Sequence, residues 1–402
     1  MKMRAGSLLG VISLLIICAI ILSGCAKSYP VPDPQPGLYN IAMVMGGSHD
    51  DGGLSQAQYE GLVYVQQNVP AVRTAYVENV YEYSDTVPLF RELAQKGFRF
   101  IIGTELGYAE SMEQVAKEYP EIIFINVLGL QPGEPNYSTL NGALENMSYL
   151  AGMLAGARVR QDGYNRLGYM ATFPIPEQFR LINATALGIE VTCPECIMDI
   201  SWLNTWRDPD LENITASSLF EAGAQVVFSS TDTQTVTEVA QTKGEGKWGV
   251  TLGWKGSCQE SCLTATYWNW GPVYAEIVKV VRENPSLSEA IYFDADSNGM
   301  GLFGFMAGEE PTSGVASLPE DVILNIQTIL NEMLSGNFVY LDIFRGEIRD
   351  NQGKIIVPAG ERLSASDVEQ FPPGDPDERC TYPECIYWYA EGINAELPDI
   401  GR

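Results

Sequence analysis

From Tyr39 onward the sequence alternates short apolar runs with longer amphipathic ones, and this rhythm limits the fold more than any other feature. "YNIAMVM", "RTAYVENV", "FRFIIGT" and "EIIFINVLG" are apolar enough to form strands, most of them buried. Between them, "SQAQYEGLVYVQQNV" sets Leu62, Val65 and Val69 at helical spacing. "TVPLFRELAQKG" predicts a helix closed by Gly97, and "YAESMEQVAKEYP" a helix stopped by Pro120. Strands and helices alternating at this length imply a parallel sheet with helices on both faces.

The rhythm then restarts. "NMSYLAGMLAGARVRQDG" predicts an apolar helix whose small residues Ala151, Gly152, Ala155 and Gly156 permit close packing. After it, "NRLGYMAT", "IMDISWL", "AQVVFSST" and "KWGVTLG" read as strands, separated by the helical segments "PEQFRLINATALGIEV", "DPDLENITASSLFEAG" and "TQTVTEVAQTKG". Two successive α/β runs predict two Rossmann-like lobes enclosing one cleft, with ligands at the carboxyl ends of the strands. Further on, "YWNWGPVYAEIVKVVRE" and "LPEDVILNIQTILNEMLSGN" predict helices and "FRGEIRDNQGKIIVPAGERLS" a hairpin. The tail "FPPGDPDERCTYPECIYWYAEGI" reads as loop, which a bond between Cys380 and Cys385 would pin.

The N-terminus bears on location. Lys2 and Arg4 precede an apolar run from Leu8 to Leu22, the pattern of a secretion signal rather than a stable span. The run ends at Leu22-Ser23-Gly24-Cys25, which resembles a bacterial lipobox. That resemblance implies cleavage of residues 1–24 and acylation of Cys25. Residues 25–37 then form a proline-rich tether that holds the body at the extracytoplasmic face of the cell membrane. The formal charge is −27, and a body this acidic repels phosphate backbones, so no nucleic-acid partner is expected.

Eight cysteines are present. Apart from Cys18 and Cys25, they fall in three tight pairs: Cys193 with Cys196, Cys258 with Cys262, and Cys380 with Cys385. An even count outside the cytosol reads as disulfides, and local pairing is the simplest of the possible connectivities. In the chain-entropy view such short loops each stabilise by only about 2 kcal/mol. "CPEC" could also be a redox dithiol or half a zinc site, but it runs into a strand-like segment rather than opening a helix.

The turn "GGSHDDGG" follows the first strand and precedes the first helix. It is not a phosphate loop, because it lacks the Walker lysine and Asp50 and Asp51 repel phosphate. Carboxylates at such a turn suit hydroxyl or amino donors of a sugar or a base edge; the same residues also serve as a helix cap, with Asp51 or Ser55 in that role. His49, the only histidine, fits a ligand-lining or exposed turn position better than a general base, since no nucleophile stands beside it.

Over nearly the whole mature length the chain resembles the basic-membrane-protein lipoproteins of purine-nucleoside-receptor type, which are substrate-binding proteins of ABC importers. "AYVENVYEYSD", "GFRFIIGTELGYAESMEQVAKEYPEIIF" and "YLAGMLAG" are similar to their first lobe. "NRLGYMATFPIPEQFRLINATALG", "WLNTWRDPDLE", "FEAGAQVVFSSTDT" and "TATYWNWGPVY" are similar to their second lobe and return crossing. The resemblance implies the α/β, type I periplasmic-binding-protein-like fold, two Rossmann-like lobes with crossing hinge strands. Residues 38–157 with 264–300 are expected in the first lobe and 158–263 with 301–402 in the second. It also implies a purine nucleoside or nucleobase as ligand, an ABC permease as partner, no enzymatic activity and no cofactor.

By position, the resemblance carries ligand contacts to Ser48, His49, Asp50 and Asp51, to Glu105 and Tyr108, to Trp206 and Asp208, to Thr231 and Asp232, and to Trp254 and Lys255. Leu54 stands where relatives carry a base-stacking aromatic, Ser55 where they carry Asn, and Leu128 where an Asp is common. Flat aromatic faces suit a purine, and each tryptophan, Trp268 and Trp270 included, fits the cleft or the core. Two alternatives share the sequence: a ligand sensor of the same fold, and a secreted nucleoside hydrolase. The hydrolase needs a calcium site, and adjacent Asp50 and Asp51 alone cannot aim enough oxygens at one point, so no metal is expected.

Overall fold

The computed structural model describes residues 29–81, 86–129, 132–283, 287–369 and 386–398. The signal segment 1–24 and Cys25 lie outside them. Two sheets organise the chain. The first is built from β1 (Tyr39–Val44), β2 (Val72–Val77), β3 (Phe100–Gly103), β4 (Ile123–Val127) and β5 (Tyr137–Gly142), all parallel. The second contains β6 (Arg166–Ala171), β7 (Ile197–Trp202), β8 (Val226–Ser229), β9 (Trp248–Gly253) and β10 (Cys262–Trp268), also parallel. The strands β1, β3 and β4 are buried on nearly every residue, as apolar runs covered on both faces must be.

The chain crosses between lobes three times. After β5 it enters the helix Glu145–Gln161, which packs along the helix Pro176–Thr192 of the second lobe. Glycines permit that approach: a Cβ on Gly152 would stand 2.2 Å from the Thr185 carbonyl oxygen, and one on Gly188 2.0 Å from that of Tyr149. After β10 the helix Trp270–Glu283 returns to pack on the helix Leu54–Asn68, and β11 (Ala290–Phe293) joins the first sheet beside β5. The chain then crosses again to β12 (Met300–Leu302), antiparallel to β10.

The lobe boundaries therefore differ from those expected at 157 and 264. The helix Glu145–Gln161 and strand β10 lie with the second sheet, because close helix–helix packing and ladder pairing tie them there. At the first crossing, burial pushes the Glu145 carboxyl up to about 7, against the opposing pull of Arg180 and a hydrogen bond from the Tyr292 hydroxyl.

The expected hairpin is β13 (Ile348–Arg349) with β14 (Ile355–Val357). The tail is not all loop: β15 (Ile393–Asn394) pairs with β7, and Trp388 and Tyr389 are buried beside it. The second half of the tether is docked rather than free. Lys96 donates to the Val31 carbonyl at 2.7 Å, and Tyr29 and Val31 pack on the core of the first lobe.

Two of the three expected cysteine pairs stand at disulfide distance. The Cys193 and Cys196 sulfurs stand 2.02 Å apart and those of Cys258 and Cys262 2.05 Å apart, both at bonding distance. The third expected pair, Cys380 with Cys385, lies outside the described residues.

Candidate ligand-binding site

The carboxyl ends of both sheets face each other across a cavity of about 890 Å³. Most wall segments follow a strand: Gly46–Ser48 after β1, Thr104–Gly107 after β3, Leu128 after β4, Phe173 after β6, Asn204–Arg207 after β7 and Asp232 after β8. Trp268, at the end of β10, and Trp270 form the back wall. This is where open α/β sheets present loops and helix starts to a ligand.

In the first lobe the protein itself satisfies the carboxylates. Asp51 accepts from the backbone amides of Gly53 at 2.9 Å and Gln56 at 3.0 Å, which anchors the start of the helix Leu54–Asn68. Glu105 accepts from the Gly46 amide at 3.2 Å and the Thr104 hydroxyl at 3.1 Å. Burial nonetheless pushes the Glu105 carboxyl up, with Asp51 adding to the effect and those two donors opposing it. Gly46 and Gly47 are needed here because a Cβ would meet Glu105 Oε1 at 2.7 Å or Asp51 Oδ2 at 2.6 Å.

In the second lobe the carboxylate is bare. Among the described residues no group donates to the side chain of Asp232. Burial pushes this carboxyl well above the ordinary range; Glu105 and Asp51 push the same way and Arg207 opposes them. Its loop is held by backbone instead. The Asp232 amide donates to the Trp206 carbonyl at 3.0 Å, and Arg207 Nη1 donates to the Asp232 carbonyl at 2.8 Å. Beside it the Trp206 ring leans on Phe173, centroids 5.1 Å apart. Trp268 stacks on Trp270 at 4.7 Å. Both indoles are largely buried yet border the cavity, so core and cleft are not exclusive for them.

Of the residues expected from sequence, Ser48, Asp51, Leu54, Glu105, Trp206, Asp232 and Trp268 line the cavity. The rest stand elsewhere. His49 turns to the rim, where Nδ1 meets Glu78 at 2.8 Å between Tyr59 and Tyr76; the Glu78 hydrogen bond raises its pKa. Asp50 is exposed and accepts from the Ser48 hydroxyl. Tyr108 points into the core and donates to the Val80 carbonyl at 2.6 Å. Asp208 caps the helix Pro209–Glu221 through the Leu211 amide. Thr231 is buried and donates to Glu212 at 2.8 Å. Trp254 lies outside the wall and donates to Glu60 of the first lobe at 2.9 Å, while Lys255 pairs with Glu309 at 3.6 Å.

Sequence reasoning missed Phe173, Asn204, Thr205, Gln58 and the pair Gly46–Gly47. Phe173 and Asn204 had a usable signal, since each follows the end of a strand within two residues. Gln58 did not, because a polar residue one turn into an amphipathic helix reads as exposed; here it is buried against the Tyr274 hydroxyl. No group of three or more potential metal ligands occurs among the described residues.

Comparison with known proteins fits this geometry. The profile of a family described as "ABC transporter substrate-binding protein PnrA-like" matches residues 38–332. A purine-binding protein of Brucella abortus is 27% identical over 72% of this chain and 78% of its own. The Haloferax volcanii protein TsgA13, whose name reads as an ABC transporter glucose-binding protein, is 30% identical over 63% of each chain. An ABC transporter solute-binding protein from Conexibacter woesei superposes with a TM-score of 0.58 at 17% identity, covering 74% of this chain and 97% of its own. These are binding proteins, not enzymes, that work with ABC permeases outside the cytoplasm. The chain belongs to the PnrA-like family of ABC transporter substrate-binding proteins.

Proposed function

We propose that this protein is a lipid-anchored receptor that takes up a purine nucleoside or nucleobase in the cleft between its lobes and delivers it to an ABC permease. The anchor rests on the basic start, the apolar run and Cys25 in its lipobox-like setting. The observation that carries the ligand class is Asp232, a carboxylate pushed up by burial and given no donor by the described residues, set among flat aromatic faces. Such a group is satisfied by hydroxyl or amino donors of an uncharged ligand. Anionic ligands are disfavoured, because Asp51 and Glu105 border the same space. A cavity of about 890 Å³ has room for a base and a ribose together.

A second reading is a hexose, whose hydroxyls would meet the same carboxylates and whose apolar face would lie on Trp206 or Trp268. It is favoured by the likeness to the Haloferax volcanii protein, whose name gives glucose as ligand. Calorimetry with adenosine, guanosine, inosine, the free bases and D-glucose separates the two. Saturable heat at micromolar or lower concentration with a purine and none with glucose is expected. Glucose binding without purine binding would replace the purine reading and leave the receptor in place.

A further inference from the structure

The two lobes touch across the mouth of the cleft at one small region, the start of the helix Leu54–Asn68. Arg207 of the second lobe donates through Nη1 to the Asp51 carbonyl of the first lobe at 3.1 Å and to the Asp232 carbonyl of its own lobe at 2.8 Å. Between those carbonyls lies Gly53. The three nearest atoms that a Cβ built there would meet all belong to Asp232: its carbonyl oxygen at 2.9 Å, its Cβ at 3.2 Å and its carbonyl carbon at 3.3 Å. Nothing in Gly53's own lobe comes as near. A few residues away, a Cβ on Gly253 would meet Leu54 Cδ2 at 2.8 Å, and Trp254 donates across the gap to Glu60 at 2.9 Å.

We propose that Gly53 and Arg207 are closure-determining residues: the missing side chain at Gly53 lets the lobes come together, and Arg207 holds them by bridging one carbonyl from each. The inference rests on the reading of the cleft as the ligand site, where closure sequesters the ligand, but it does not depend on which ligand binds. Arg207 acts as a positioning residue. It neither polarises nor accepts from the ligand in this role, and fixes instead the distance between the Asp51 and Asp232 loops. Gly53→Ala probes that approach directly. The nearest atoms to the added methyl all belong to the other lobe, to the Asp232 backbone and Cβ, which cannot swing aside.

A donor and an acceptor dye on exposed Gln95 and Ile214, one on each lobe, report the closed fraction by single-molecule energy transfer in the full chain without ligand. The closed-to-open ratio is expected to fall at least tenfold in Gly53→Ala and about threefold in Arg207→Gln, with both variants folded. An unchanged ratio in both folded variants overturns the proposal, and so does a parent protein with no closed fraction at all. Loss of purine binding in calorimetry would remove the ligand assignment but leave this result standing.

Discussion

Glu105 and Asp232 look into the same cavity from opposite lobes, and burial pushes both carboxyls up, yet the protein treats them differently. Glu105 is braced by the Gly46 amide and the Thr104 hydroxyl. The Asp232 side chain receives no hydrogen bond from any described residue, and only its backbone is tied down. The first carboxylate organises a wall, and under the proposed function the second is left for the ligand. A partly buried carboxyl without a hydrogen-bond partner costs folding free energy, so its place at a cleft rather than in a core fits a functional role. On that proposal the first lobe acts as a preformed cradle and the second as the hand that grips.

That contrast can be broken or sharpened by substitution. Asp232→Ala should weaken adenosine binding at least a hundredfold, about 2.7 kcal/mol by calorimetry; a loss under threefold would mean that the bare carboxylate is not a ligand contact. Asp51→Ala should cost about tenfold, since Asp51 borders the cavity but commits one oxygen to two amides of the helix start. Glu105→Gln should cost about threefold, because the amide oxygen can still accept from Gly46 and Thr104. Equal losses at Glu105 and Asp232 would erase the distinction between cradle and grip. Trp254→Ala should weaken binding only about twofold, through its contact with Glu60 at closure.

The same contrast has a pH signature in stability without ligand. A carboxyl held above its ordinary value keeps its proton in the folded state where the unfolded chain has already lost it. Stability is therefore present at low pH and lost as pH rises through that window. Asp232→Asn should remove this loss, so its thermal midpoint should gain on the parent's as pH rises from 4 to 7, by roughly 2 °C or more. Glu105→Gln should gain less over the same range, because its two donors already favour the charged form. A larger gain for Glu105→Gln would reverse the assignment.

Much of this was legible in the sequence. The strand–helix alternation predicted both sheets, and of the residues carried over from the family resemblance Ser48, Asp51, Glu105, Trp206 and Asp232 border the cavity. What failed was any judgement that depended on side-chain direction. Tyr108 and Glu105 lie three residues apart on one loop, and only packing against Phe90 and Val80 sends the tyrosine inward. Trp254 reads as a cleft residue beside Gly253, but its indole passes outside the wall to Glu60. The crossings were misplaced because the helix Glu145–Gln161 is apolar on all sides. Its pattern names no partner, and only the fit of Gly152 against Thr185 and of Gly188 against Tyr149 commits it to the second lobe.

A crystal structure of the protein grown with adenosine tests the central claim most directly. The account predicts ligand density between the lobes, a ligand hydroxyl or amino group within hydrogen-bond distance of the Asp232 carboxylate, and the base against Trp206 or Trp268. Ligand density outside the cleft, or inside it with Asp232 left untouched, would contradict it.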